Sequence, residues 1–135
     1  MQADDIDWQP LLTAAEAVRA NAHAPYSRFK VGAALLAADG RIFAGCNVEN
    51  RTFGLTVCAE RNAVVQAVAA GAGAPRAVAV ITDASPPAPP CGLCRETLAE
   101  FASDLPILLV NTQGERQLVH LREIFPQPFV FPPPQ

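Results

Sequence analysis

Arg76-Ala77-Val78-Ala79-Val80-Ile81-Thr82 contains an unbroken apolar run, Ala77 to Ile81, of strand length. With no alternation to give it a wet face, it predicts a central strand covered on both sides, which requires helices above and below. Upstream, residues 58 to about 70 are dominated by alanine, valine and glutamine, a helical composition that Gly71 and Gly73 terminate. Downstream, the proline-rich residues 85–90 cannot continue the strand; they deliver the chain to Cys91, from which Thr97, Leu98 and Phe101 read as another helix. Residues 105–110 form a second apolar strand, and a turn at Gln113-Gly114 leads to a last strand over 117–121. The tail beyond is rich in proline and phenylalanine and has no helical period.

Towards the N-terminus, residues 30–38 and 41–48 flank Ala38-Asp39-Gly40, a hairpin signal. Trp8, Leu11, Leu12, Ala15, Val18 and Ala22 recur every three or four residues, which predicts an amphipathic helix of about four turns. The order helix, strand, strand, helix, strand, helix, strand, strand describes an α/β fold, a three-layer α/β/α sandwich with a mixed five-stranded sheet. At 135 residues the whole chain, 1–135, is expected to be a single domain.

Half of the residues are apolar and only 17% are charged, a low share that points to subunit contacts and a homo-oligomer. The net charge of −3 has no basic cluster behind it, so the electrostatic footprint of a nucleic-acid binder is missing. Met1-Gln2-Ala3-Asp4-Asp5-Ile6-Asp7 is acidic where a signal peptide would be basic, and no apolar run approaches membrane-spanning length. A cytoplasmic protein with reduced thiols, without membrane or nucleic-acid partners, is the expectation.

The chemistry lies where two helices begin. Cys58-Ala59-Glu60-Arg61 opens one, and Pro90-Cys91-Gly92-Leu93-Cys94-Arg95 opens the other. Cys91 and Cys94, three apart, share a face of a first helical turn, and Cys58 can reach the same ion from the other helix. Three thiolates suit tetrahedral Zn²⁺, and three protein ligands rather than four leave a position open for water. Glu60 is placed to take a proton from that water. Three thiolates around Zn²⁺ carry a net negative charge, which Arg61 and Arg95 could offset by donating to sulfur; the plain alternative is that each pairs with surface acids.

Four segments together resemble the small free-nucleoside cytidine deaminases. They are Ala24-Pro25-Tyr26-Ser27-Arg28-Phe29-Lys30-Val31-Gly32-Ala33-Ala34-Leu35, Gly45-Cys46-Asn47-Val48-Glu49-Asn50, Cys58-Ala59-Glu60-Arg61 and Pro90-Cys91-Gly92-Leu93-Cys94-Arg95. A Cys-x-Glu followed by Pro-Cys-x-x-Cys is a known signature of zinc deaminases. The resemblance implies zinc on Cys58, Cys91 and Cys94, Glu60 as proton shuttle, and hydrolysis of cytidine or 2′-deoxycytidine to the uridine product with loss of ammonia, a pyrimidine-salvage reaction. It sets Asn47 and Glu49 on the ribose hydroxyls, Phe29 and Ala59 against the pyrimidine, and Phe129 over the active site of a neighbouring subunit in a homotetramer whose sites lie at its interfaces. From the residues alone, Asn47 and Glu49 could equally be exposed turn residues, Phe29 a core residue and Phe129 a packing residue on its own sheet edge.

The chain departs from the family pattern in places. Glu96 stands where glutamine is usual, a feature shared with deaminases of aminoacylated cytosine nucleoside antibiotics, and Arg51-Thr52-Phe53 is bulkier than usual. A modified cytosine nucleoside is therefore the alternative substrate. A non-catalytic structural zinc module with a histidine as fourth ligand is the rival of another class, and it would leave Glu60 without a task. Cys46 reads as a small buried hydrophobe, and His23 and His120 as structural residues.

Overall fold

Asp39 and Gly40 turn the chain back on itself. Gly40 takes φ +91°, which a side chain would strain, and Ala37 N donates to Arg41 O at 2.9 Å. The turn closes a hairpin between Gly32–Ala37 (β1) and Ile42–Cys46 (β2). In this computed structural model, which describes residues 3–133, β1 also pairs antiparallel with Pro75–Thr82 (β3). β3 runs parallel to Pro106–Asn111 (β4), and β4 pairs antiparallel with Arg116–His120 (β5). The result is the expected mixed five-stranded sheet, in the order β2-β1-β3-β4-β5. Met1 and Gln2 of the acidic N-terminal stretch, and the last two residues of the tail, lie outside the described residues.

Alternation along the central strands sorts their side chains into two cores. Ala34, Ala79, Ile81 and Val110 face Leu11 and Ala15 of the helix Trp8–Arg19 (α1). Ala33, Leu35, Val80 and Leu109 face the helices Ala59–Ala69 (α2) and Gly92–Phe101 (α3), from which Ala63, Ala67 and Leu98 reach the same cluster. Burying each large side chain of this kind is worth about 1.5–3 kcal/mol, and covering both faces of β3 is what makes its unbroken apolar run stable.

Small residues let the helices come close enough to matter for the site. A Cβ on Gly45 of β2 would lie 2.5 Å from Ala63 N and 2.6 Å from Ala59 O, so only glycine permits this approach of the strand to the first turn of α2. Asn62 and Gln66, one turn apart on α2, donate to the carbonyls of Cys46 and Ala44 at 2.8 and 2.7 Å, which locks the contact. At its far end α2 stops at Gly71, φ +68°, with Ala72 N bonded back to Ala67 O at 3.1 Å.

The hairpin strands are shorter at both ends than the sequence reading, β4 lies over 106–111 rather than 105–110, and three further differences bear on the ends of elements. α1 ends at Arg19 instead of reaching Ala22, because Asn21 and Ala22 close tighter turns on Val18 and Arg19 and His23 then pairs with the end of the hairpin, its N–H on Asn47 O at 3.0 Å. The last strand lies over 116–120 rather than 117–121. Beyond it Leu121–Ile124 forms a one-turn helix (α4), too short to show periodicity, whose entry is held by His120 N donating to Glu123 Oε1 at 3.0 Å.

Candidate active site

Cys58 is the residue that caps the start of α2, Cys91 caps the start of α3, and Cys94 belongs to the first turn of α3. Both helices thus point their positive ends at the same place. The Sγ atoms of Cys58 and Cys91 are 3.5 Å apart, as are those of Cys91 and Cys94, and all three lie within 4.8 Å of one another. Zinc–sulfur bonds of about 2.3 Å at tetrahedral angles require sulfurs about 3.8 Å apart, so the donor set fits a zinc ion in both chemistry and spacing. Among the described residues no histidine or carboxylate joins the three sulfurs. His23 is exposed and bridges to Val48, and His120 lies 3.7 Å from Asp104, so neither supplies the fourth ligand that a closed structural site needs.

The electrostatics of the nest are uneven. Hydrogen bonding from Cys94 above all, helped by Cys91 and the Arg61 guanidinium, pushes the Cys58 thiol down to about 5. Cys94 moves far upward, because it serves as donor to Cys58 and is buried beside the charge of Glu60. Arg61 Nη2 lies 3.9 Å from Cys58 Sγ and donates to Thr56 O at 2.9 Å, which places a cation next to the sulfurs. Arg95 has other partners: its Nε donates to Pro90 O and its Nη1 to Ile124 O, both at 2.8 Å. It braces the approach to Cys91 and ties it to α4, where the sequence reading had offered sulfur or a surface acid. The guanidinium finds carbonyls that the proline-rich approach and the end of a one-turn helix leave without backbone donors.

Glu60, in the first turn of α2, is only 6% exposed. Burial pushes its carboxyl up to about 7, with the Cys58 charge adding to the effect. It opens onto a cavity of about 180 Å³ that Phe29, Val31, Asn47, Thr56, Cys58, Ala59, Val80, Thr82, Ala88, Pro89 and Cys91 also line. A small, largely apolar cleft with a sulfur nest and a near-neutral carboxyl at its wall is built for proton transfer on a flat, modest-sized ligand.

Two polar side chains just beyond β2 hold the adjoining backbone. Asn47 is buried; its Nδ2 donates to Phe29 O at 2.8 Å and its Oδ1 accepts from Val31 N at 2.9 Å. Glu49 accepts from Tyr26 N at 2.9 Å, from Ser27 N at 3.1 Å, and from the Ser27 hydroxyl. Those bonds, the hydroxyl foremost, hold its carboxyl below the usual range. Glu49, Tyr26, Ser27 and Phe53 line a second cleft, which meets the first at Thr56. Tyr26, Ser27, Thr56 and Thr82 were not picked out as site residues by sequence; for Tyr26 and Ser27 nothing local signals a bond to Glu49 spanning more than twenty positions.

Other candidates lie apart from the cavity lining. Phe129 is 73% exposed and meets Phe131 edge to face at 6.2 Å. Glu96, Arg51 and Thr52 are exposed, and Phe53 packs edge to face on Tyr26 at 5.7 Å. Cys46 is partly exposed at the end of β2, outside the sulfur nest.

Known proteins match the chain as a whole and at this site. A family model described as the cytidine and deoxycytidylate deaminase zinc-binding region covers residues 7–108. The chain is 41% identical over 125 residues to a cytidine deaminase of Sporosarcina psychrophila, spanning 92% of both chains. It is 44% identical to one of Halalkalibacterium halodurans, spanning 92% of this chain and 95% of the other. The crystal structure of cytidine deaminase from Burkholderia pseudomallei superposes with a TM-score of 0.85 at 42% identity, over 96% of this chain and all of that one. That from Mycobacterium tuberculosis gives 0.80 at 38% identity, over 94% of this chain and all of the other.

Proposed function

The chain belongs to the zinc-binding cytidine and deoxycytidylate deaminase family, and on that footing we propose that it hydrolyses cytidine and 2′-deoxycytidine to uridine and 2′-deoxyuridine with release of ammonia. The observation that carries the reading is the union of three converging sulfurs with a buried carboxyl in one cavity. Zinc, when held there by Cys58, Cys91 and Cys94, supplies a Lewis acid and lowers the pKa of a water at its fourth position.

Glu60 does the proton work. With its carboxyl at about 7 it can both take and give a proton near neutrality. It receives a proton from the water whose oxygen bonds to ring C4 and passes it to N3; it then takes the second proton from the oxygen now on C4 and delivers it to the exocyclic amino group, so that the C4–N4 bond breaks, the C4 carbonyl forms and ammonia leaves. Arg61 beside Cys58 moderates the negative charge of the thiolates. Phe29 packs on the ring, Ala59 lies under it at the start of α2, and Asn47 and Glu49 meet the ribose hydroxyls. Arg95 supports the sulfur nest by fixing Pro90, the residue before Cys91. Incubation with cytidine and 2′-deoxycytidine should cause loss of the cytosine absorbance with one ammonia per product; unchanged nucleosides would defeat the reading.

The whole chain acts as one domain, supported by two cores that share one sheet. A homotetramer with active sites at its interfaces is supported by the exposed apolar side chains Leu55, Leu93, Phe129, Val130 and Phe131. In it Phe129 covers a neighbour's cavity. Removing residues 126–135, which spares the Arg95 bond to Ile124, is expected to lower both the mass measured by light scattering and the turnover. A truncated protein unchanged in both would refute that role. No helix among the described residues is long and apolar enough to cross a membrane, which supports a cytoplasmic enzyme.

A further inference from the structure

Phe29 is held at both ends of its peptide unit by groups that also serve the sugar side of the cavity. Its carbonyl accepts from Asn47 Nδ2 at 2.8 Å, and its N–H donates to Ser27 Oγ at 2.9 Å. The same Ser27 oxygen donates its proton to Glu49 Oε2, while Ser27 N donates to Glu49 Oε1 at 3.1 Å. A hydroxyl can donate once and accept as well, and this one spends its donor on the carboxylate and an acceptor position on the ring-side backbone. Between Ser27 and Phe29 the chain passes through Arg28 at φ +58°, a left-handed conformation uncommon for a residue with a side chain; Arg28 N closes the turn on Ala24 O at 2.9 Å. The turn folds Phe29 N back onto Ser27, an arrangement that serine supports by bonding its own backbone two residues on.

The bonds on Glu49 are unequal between its oxygens. Oε1 takes the N–H groups of Tyr26 and Ser27, and Oε2 takes the Ser27 hydroxyl. An ionised carboxylate oxygen accepts about two hydrogen bonds, so Oε2 keeps one acceptor position and Oε1 has none to spare. The two backbone N–H groups thereby leave Oε2 as the oxygen that can meet a ligand, and the Ser27 hydroxyl sets the side from which Oε2 is met.

We propose that Ser27 is a positioning residue for nucleoside selection: its hydroxyl couples the Glu49 carboxylate to the Phe29 wall, so that ribose hydroxyls and pyrimidine ring are read by one preassembled unit. The inference rests on the reading that Glu49 meets the sugar. Ser27 touches neither zinc nor Glu60, and its loss acts through substrate binding rather than through the proton transfer.

The test compares cytidine with 2′,3′-dideoxycytidine, which lacks the hydroxyls, in the zinc-loaded full-length protein and its Ser27→Ala, Ser27→Thr and Glu49→Gln variants. Ser27→Ala should lower kcat/KM for cytidine about tenfold, chiefly through KM, and shrink the preference for cytidine over the dideoxy analogue by about fivefold or more. Zinc per chain and the pH profile of kcat should not move. Ser27→Thr, which keeps the hydroxyl, should hold the preference within about twofold of the unsubstituted protein. A Ser27→Ala protein with an unchanged preference, or a threonine variant as impaired as the alanine one, overturns the coupling. If Glu49→Gln abolishes the preference while Ser27→Ala keeps it, the coupling alone fails; if Glu49→Gln also keeps it, the sugar assignment fails and takes the inference with it.

Discussion

Exchanging Glu60 for glutamine should lower kcat with cytidine by roughly 10²- to 10⁴-fold, the usual worth of a positioned general acid and base. Glutamine has nearly the same shape, so the cavity walls and the α2–β2 contact at Gly45 remain in place. What is lost is the group that can gain and lose a proton near neutrality. Metal content is expected to stay at that of the unsubstituted protein, because Glu60 is not among the converging sulfur donors. On the proposed reading KM should change much less than kcat, since there the carboxyl acts on the reacting atoms while Phe29, Asn47 and Glu49 hold the nucleoside. Turnover equal to that of the unsubstituted protein would remove Glu60 from the chemistry and reopen the structural-zinc alternative.

Cys94→Ala strikes the metal instead. Cys94 is fully buried and lies 3.5 Å from Cys91, so no solvent ligand can simply take its place without reshaping the first turn of α3. The remaining pair of sulfurs is too few for a protein zinc site of this type, and Cys46 lies outside the nest. Zinc is expected to fall below about one-tenth per chain and turnover by more than about 10³-fold, as befits removal of a Lewis acid worth several kcal/mol. Metal analysis and steady-state assay on the same sample check both. Full zinc with undiminished turnover would mean that Cys94 is a packing residue and that the ligand set has been misread.

The two substitutions separate what the sequence displayed from what it hid. The layer order was legible because the apolar run over β3 has no wet face and because Gly40 and Gly71 mark turns that only positive φ can make. The sulfur nest was legible for a related reason: Cys58 and Cys91 cap the starts of helices, which composition and, before Cys91, proline signal. Those are local properties. The tasks of Arg95 and Glu49 were not local. Arg95 bonds to a carbonyl of α4, 29 positions away, and Glu49 to a hydroxyl 22 positions away, and nothing in the spacing of either residue indicates such partners.

The end of α1 teaches the same lesson from the backbone side. Apolar periodicity continued to Ala22, yet His23 pairs with the strand end at Asn47 and Val48, and the tertiary pairing overrode the helical pattern. That override is useful. It brings the turn of Tyr26 and Ser27 against Glu49, and so assembles the second cleft, which adjoins the cavity of Glu60 at Thr56. The least legible part of the chain is therefore the part that shapes this second cleft.

Titrating metal-depleted protein with Zn²⁺ while following ammonia release from cytidine tests the central claim in a single experiment. The rate should rise linearly with added zinc and break at one equivalent per chain, as three sulfurs around one ion require. Protein that carries one zinc per chain yet releases no ammonia from cytidine would contradict it.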